Sequence, residues 1–232
     1  MQARAPQTNV ATFTDLLVIV GGGSLDAELL RELYASGGHL VGADGGADQI
    51  VAAGLKPELI VGDFDSLKAP HEWLGKTRLM QIAEQETTDF EKAIYSTRAP
   101  VTVALGMTGK RFDHTLAALD AVTKYATGRS IILVDEVDVA LALTGPFEFS
   151  LEAGERVSVY PLTPIRFRHS SGLRYALDGL RLAQGERIGT SNAAEGGVFR
   201  IEPEGRKRPW LLILDRRHLF GIAAAAARLA EG

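Results

Sequence analysis

"LLVIVGGGSLDAELLRELYASGGHLVGAD", residues 16–44, decides the architecture. It opens with five apolar residues, the mark of a strand buried on both faces. "LDAELLRELYASG" (25–37) reads as a helix, and "HLVGAD" (39–44) as a second buried strand. The same alternation continues through a short helix to Gly54, "ELIVGD" (58–63), "TRLMQI" (77–82), a helix from Thr88 to Thr97, "VTVAL" (101–105), a helix from Phe112 to Tyr125 and "SIILVD" (130–135). Strands and helices in this order predict a mostly parallel sheet covered on both faces. Ligands of such sheets gather beyond the carboxyl ends of the strands.

After residue 136 the pattern changes. "FEFSLEAG", "RVSVYPL", "IRFRHSSG", "LRYALDG", "GGVFRIEP" and "WLLILD" are short, alternating, and separated by Gly, Pro or Ser. They predict an antiparallel β-sandwich or small barrel. The expectation is therefore α/β: an N-terminal, mostly parallel domain over residues 1–136 and a C-terminal β-sandwich over 137–232. The tail "GIAAAAARLAEG" reads as a terminal helix. Charge divides in the same sense: residues 1–150 hold 12 basic and 20 acidic side chains, the remainder 13 and 9.

The 232 residues contain no cysteine, so thiol nucleophiles, disulfides and Cys-ligated zinc are excluded, and any metal must be held by oxygen or imidazole. No apolar run approaches the ~18 residues of a membrane span, and the N-terminus lacks a secretory pattern. The net charge of −4 and the absence of a long Lys/Arg block argue against a nucleic-acid surface. A cytoplasmic protein with no membrane or nucleic-acid partner is expected.

Three strand ends carry chemistry. In "LIVGDFDSL" (59–67) the strand period sends Asp63 and Asp65 to one side and Phe64 to the other. Two such carboxylates repel unless a cation or proton separates them, and Mg²⁺ with a phosphate substrate suits oxygen ligands. In "TTDFEKAI" (87–94) Thr87 or Thr88 caps a helix, with Asp89 in its first turn and Lys92 on the same face, placed to complete a metal site and reach a phosphate. In "LGMTGKRFDH" (105–114) Gly106 and Gly109 permit a tight anion-facing loop, Arg111 offers a planar fork for phosphate, and Asp113 and His114 begin a helix. Near the N-terminus, "VIVGGGSLDAELL" with Asp44 beyond it imitates a dinucleotide fingerprint. Asp26 replaces its third glycine and would repel a pyrophosphate there, but Gly22 and Gly23 can still serve another phosphate.

"ADGGAD" (43–48), "GDFDS" (62–66), "TTDFEKA" (87–93), "GMTGKRFDH" (106–114) and "TSN" (190–192) resemble, in order and spacing, the motifs of the thiamine pyrophosphokinase family. The resemblance covers residues 16 to 214. It implies an α/β domain followed by a β-sandwich, a homodimer with thiamine bound where subunits meet, and transfer of the pyrophosphoryl group of ATP to thiamine. It further implies Asp63, Asp65 and Asp89 as Mg²⁺ ligands, and Asp44 as a further acid of the nucleotide and metal rim. Lys92 and Arg111 would hold phosphates, with Asp113 near the reacting centre or the thiamine. Ser191 and Asn192 would touch the thiamine rings, and Trp210 would stack on the pyrimidine or fill a core. Lys110 and Gln85-Glu86 depart from the family pattern, in the glycine loop and at a frequent basic position.

Two other readings compete. "DFDS" resembles the nucleophile motif of haloacid-dehalogenase-like phosphatases, with Asp63 as nucleophile, although Leu67 stands where those proteins carry Thr or Val. A non-catalytic thiamine- or nucleotide-binding module is the other; Lys92 and Arg111 argue against it.

Overall fold

The computed structural model describes residues 10–231; residues 1–9, part of the N-terminal stretch read above, lie outside the described residues. The chain divides into two compact units, Met1–Lys110 and Arg111–Gly232.

The first unit contains, in order, β1 (Ala11–Thr12), β2 (Leu16–Val20), α1 (Ala27–Ala35), β3 (His39–Ala43), α2 (Gly46–Ala52), β4 (Leu59–Gly62), β5 (Arg78–Gln81), α3 (Asp89–Ser96), β6 (Thr97–Arg98) and β7 (Val101–Leu105). Five strands form a parallel sheet in the order β7-β2-β3-β4-β5. The apolar runs read from the sequence are buried as such runs should be: Leu17, Val18, Ile19, Leu40, Val41, Ile60, Val61 and Val103 have essentially no accessible surface. Each such side chain contributes about 1.5–3 kcal/mol relative to its exposed state. Leu30 and Leu33 of α1, Ile50 of α2 and Ile94 of α3 complete the core. Asp26, the residue that spoils the dinucleotide pattern, is the N-cap of α1, where its carboxylate accepts the N–H groups of Glu28 at 3.0 Å and Leu29 at 3.2 Å.

The second unit contains α4 (Phe112–Tyr125), β8 (Ser130–Val134), β9 (Asp138–Leu143), β10 (Phe147–Leu151), β11 (Arg156–Pro161), β12 (Ile165–Ser171), β13 (Arg181–Leu182), β14 (Gly189–Ala193), β15 (Gly197–Pro203), β16 (Trp210–Asp215) and α5 (Leu219–Glu231). Strands β14-β11-β16-β9-β8 pair antiparallel in that order, and β10-β15-β12-β13 form another antiparallel sheet. Phe167 of β12 and Trp210 of β16, one from each set, meet edge to face with ring centroids 5.6 Å apart, both wholly buried.

One expected strand is absent. "LRYALDG" (173–179) is a loop except for an isolated bridge between Leu173 and Ala194. Its backbone is satisfied without a continuous ladder: Asn192 brackets Tyr175, Ser170 Oγ accepts the Leu177 N–H at 2.7 Å, the Arg174 and Gly179 N–H groups donate to the Ala193 and Phe167 carbonyls at 2.8 and 2.9 Å, and Leu173 and Leu177 anchor it in the core. Among the described residues no helix is long and apolar enough to cross a membrane.

Candidate active site

The acids converge through turns at the carboxyl ends of β3 and β4. Asp44, just past β3, adopts a left-handed backbone (φ 46°), and its N–H donates to the Val61 carbonyl at 2.8 Å. A non-glycine residue held there stores strain, a feature concentrated at functional sites. Its Oδ2 accepts the Ser66 N–H at 2.9 Å, whereas Oδ1 is buried with no partner. Burial, followed by the charges of Asp89, Asp63 and Asp65, outweighs the Ser66 hydrogen bond and pushes the Asp44 carboxyl up to about 6.

Asp63 and Asp65 meet by a different route from strand alternation. β4 ends at Gly62, and Phe64 turns left-handed (φ 70°) with its ring against Ala47, Ile60 and Leu67. The burial of that ring forces the chain round between the two acids. Asp63 Oδ1 accepts the Asp65 N–H at 3.2 Å, so the residue also caps its own turn. One ligand oxygen from each of Asp44, Asp63 and Asp65 lies within 4.8 Å of the other two.

Helix α3 supplies the counter-charge. Thr88 is its N-cap, accepting the Glu91 N–H at 3.3 Å, and Asp89 is its first residue. Lys92, only 1% exposed, places Nζ 3.1 Å from both Asp63 Oδ2 and Asp89 Oδ1. Gln85 Nε2 donates to the same Asp63 oxygen at 2.9 Å. Burial alone would lower the Lys92 pKa, but its two carboxylate partners raise it, so the ammonium stays charged. Burial likewise pushes Asp63 up, and Lys92, Gln85 and the Asp65 N–H more than reverse it. The sequence foresaw Lys92 and Asp89 on one helical face. Gln85 offered no periodic signal, being a loop residue.

Oxygen donors clustered this closely, one buried and unpartnered, fit a hard divalent cation such as Mg²⁺. Asp44 occupies the third place in the cluster, while Asp89 joins the rim through Lys92.

The glycine turn after β2 is largely spent on packing. The N–H groups of Gly21, Gly23 and Ser24 donate to Leu105, Gly106 and Thr108 carbonyls at 2.8, 2.7 and 2.9 Å. A Cβ on Gly23 would collide with the Gly106 and Thr108 carbonyls, and one on Gly109 (φ 87°) with the Ser24 side chain. These glycines let two loops interlock. Gly22 is the open position, where an added Cβ would meet nothing, and Lys110 Nζ donates to its carbonyl at 2.9 Å.

In the second unit Arg111 and Asp113, at the start of α4, form an exposed bidentate pair with contacts of 2.6 and 3.1 Å. Ser191 is exposed in a left-handed conformation (φ 61°). Asn192 is buried and engaged through both amide atoms: Oδ1 accepts the N–H groups of Tyr175 and Ala193 at 3.0 and 2.8 Å, and Nδ2 donates to the Tyr175 carbonyl at 2.7 Å. Trp210 is 0% exposed and edge-on to Phe167, which favours the core alternative for this residue over a stacking platform.

Comparison with known proteins agrees with this geometry. Residues 30–133 match the family described as "Thiamin pyrophosphokinase, catalytic domain". Thiamine pyrophosphokinase 1 of Oryza sativa is 28% identical over 192 residues, covering 68% of this chain and 73% of that protein. Thiamin pyrophosphokinase 1 of Caenorhabditis elegans is 25% identical, covering 80% and 86%. The crystal structure of thiamin pyrophosphokinase from Geobacillus thermodenitrificans superposes with a TM-score of 0.72 at 26% identity, covering 86% of this chain and 97% of that one. Five motifs in order, an acidic rim at the strand ends and these matches point the same way: the chain is similar in sequence and fold to thiamin pyrophosphokinases.

Proposed function

We propose that the protein is an ATP-dependent thiamine diphosphokinase. The thiamine hydroxyl oxygen bonds to the β-phosphorus of ATP, the bridge between the α- and β-phosphates breaks with its oxygen leaving on AMP, and the hydroxyl proton is lost. The observation that carries this reading is the convergence of Asp44, Asp63 and Asp65, together with the buried Oδ1 of Asp44 that has no partner. A polyphosphate substrate needs alignment and relief of charge more than covalent help.

Asp44, Asp63 and Asp65 would hold Mg²⁺, with Asp89 beside them, and the ion would neutralise charge on the ATP phosphates. Lys92 keeps Asp63 and Asp89 in register, and its charge offsets the local excess of carboxylates. Arg111 is the phosphate fork: its guanidinium leaves the exposed Asp113 carboxylate readily, because such a pair contributes little in water. Asp113, thereby freed, orients or deprotonates the thiamine hydroxyl. Gly22 and Gly109 line the phosphate approach, with Gly23 holding their loops together. Ser191 is the available thiamine contact, and Asn192 shapes the strand that presents it.

In this reading residues 1–136 bind nucleotide and metal, and residues 137–232 bind thiamine and form a homodimer in the cytoplasm. The test follows AMP and thiamine diphosphate together in purified protein supplied with ATP, Mg²⁺ and thiamine. Equal amounts of the two products are expected. ADP in place of AMP, phosphate release without thiamine, or binding without turnover would overturn the reading. Asp63→Ala should lower kcat by about three orders of magnitude while the protein stays folded.

A further inference from the structure

Residues 82–88 join β5 to α3 without regular structure of their own. They nevertheless deliver two side chains to the rim, Gln85 directly and Asp89 at the head of the helix. The loop is tethered where it begins, by the Ile82 N–H donating to the Gly62 carbonyl at 2.8 Å, and where it ends, by the Thr88 cap. Between those points the tethering converges on Glu84.

Glu84 Oε2 accepts the backbone N–H groups of Glu86 at 2.7 Å and Thr87 at 3.0 Å. Its Oε1 accepts the Tyr95 hydroxyl at 3.0 Å and the Thr87 hydroxyl as well. Burial pushes this carboxyl up, but the hydrogen bonds from Thr87, Glu86 and Tyr95 outweigh it and hold the group below the ordinary glutamate range. One ionised side chain therefore gathers three donors from the loop and one from the body of α3. Gln85 is the next residue along, and Asp89 follows four residues after Gln85. With its oxygens occupied by these donors, Glu84 acts through its neighbours.

We infer that Glu84 is a positioning residue for the metal and phosphate rim: its carboxylate staples the loop to α3 and so aims Gln85 at Asp63 and sets where Asp89 begins the helix. Its consequence for turnover rests on the proposed pyrophosphoryl transfer; its consequence for the loop and for cation affinity does not.

Glu84→Gln preserves size but loses the charge and half of the acceptor capacity. The backbone amides of Glu86 and Thr87 should then exchange hydrogen faster, and the affinity for Mn²⁺, titrated with a non-transferable ATP analogue, should fall about tenfold, with kcat falling more than the KM for thiamine rises. Glu84→Asp, shorter but still charged, should recover part of each change. Tyr95→Phe, which removes one donor of the four, should move each readout less and in the same direction.

Unchanged amide exchange and unchanged Mn²⁺ affinity per folded molecule in Glu84→Gln would overturn the inference, even if its melting temperature falls. Should that variant not fold, Tyr95→Phe and Thr87→Val decide by the same two readouts. A wild-type protein that binds Mn²⁺ with the analogue but forms no thiamine diphosphate refutes the proposed function alone, and Glu84 is then judged on affinity and exchange.

Discussion

Asp44 in the first unit and Glu155 in the second are both shielded carboxylates, yet the first is pushed up to about 6 and the second drawn down to about 2. Glu155 is held mainly by Arg217, against the opposing effect of its burial, with further hydrogen bonds from the Glu152 N–H and His218. Asp44 has one donor for two oxygens and three acids as neighbours. A carboxylate that the fold has already paired is structural, whereas one that the fold buries and leaves short of donors fits the cation proposed for this rim. The same contrast separates Asn192, whose amide is spent on its own unit, from Asp44 Oδ1.

The contrast breaks most readily at Asp44. Asp44→Asn keeps a residue tolerant of the left-handed backbone and removes the repulsion. Measured without divalent metal, the variant should be about 1 kcal/mol more stable than the parent, and its activity should fall about a hundredfold. A variant that loses stability would show Asp44 to be a structural acid. At Asn192 the opposite is expected, since Asn192→Ala strands the buried Tyr175 and Ala193 groups and should cost about 2 kcal/mol in denaturant unfolding. A cost near zero there would mean that water replaces the amide.

The smallest effect concerns Glu155. Its folded pKa lies below the ordinary 4.5, so the stability that it contributes is complete above about 4.5 and is lost as the pH falls toward about 2. Arg217 is itself well exposed, so Arg217→Ala should lower stability at pH 7 less than Asn192→Ala does, and the gap from the parent should narrow through that acid window. A gap independent of pH would assign the loss to packing of the arginine stem instead.

Much of this was legible in the sequence because it depends on local periodicity. The buried runs of β2, β3, β4 and β7 announced a parallel sheet, and the spacing of Asp89 and Lys92 announced a shared helical face. "LRYALDG" misled because alternation records which residues are buried and not whether a partner strand runs alongside; side chains of Ser170 and Asn192 and scattered carbonyls of Ala193 and Phe167 satisfied that backbone. The division between compact units also falls at Lys110 and Arg111, earlier than the change of sequence pattern at 136.

The sequence by itself determined which residues are acids, which segments must be buried, and that the acids follow strands. Tertiary structure decided how the acids meet. Phe64 had to turn left-handed to bury its ring, Lys92 had to cross from α3 to Asp63, 29 positions away in the chain, and Asp44 lost water on one oxygen without gaining a donor. Periodicity fixes the direction of a side chain within its own element, but the charge environment of a carboxylate depends on groups that only the folded chain brings together.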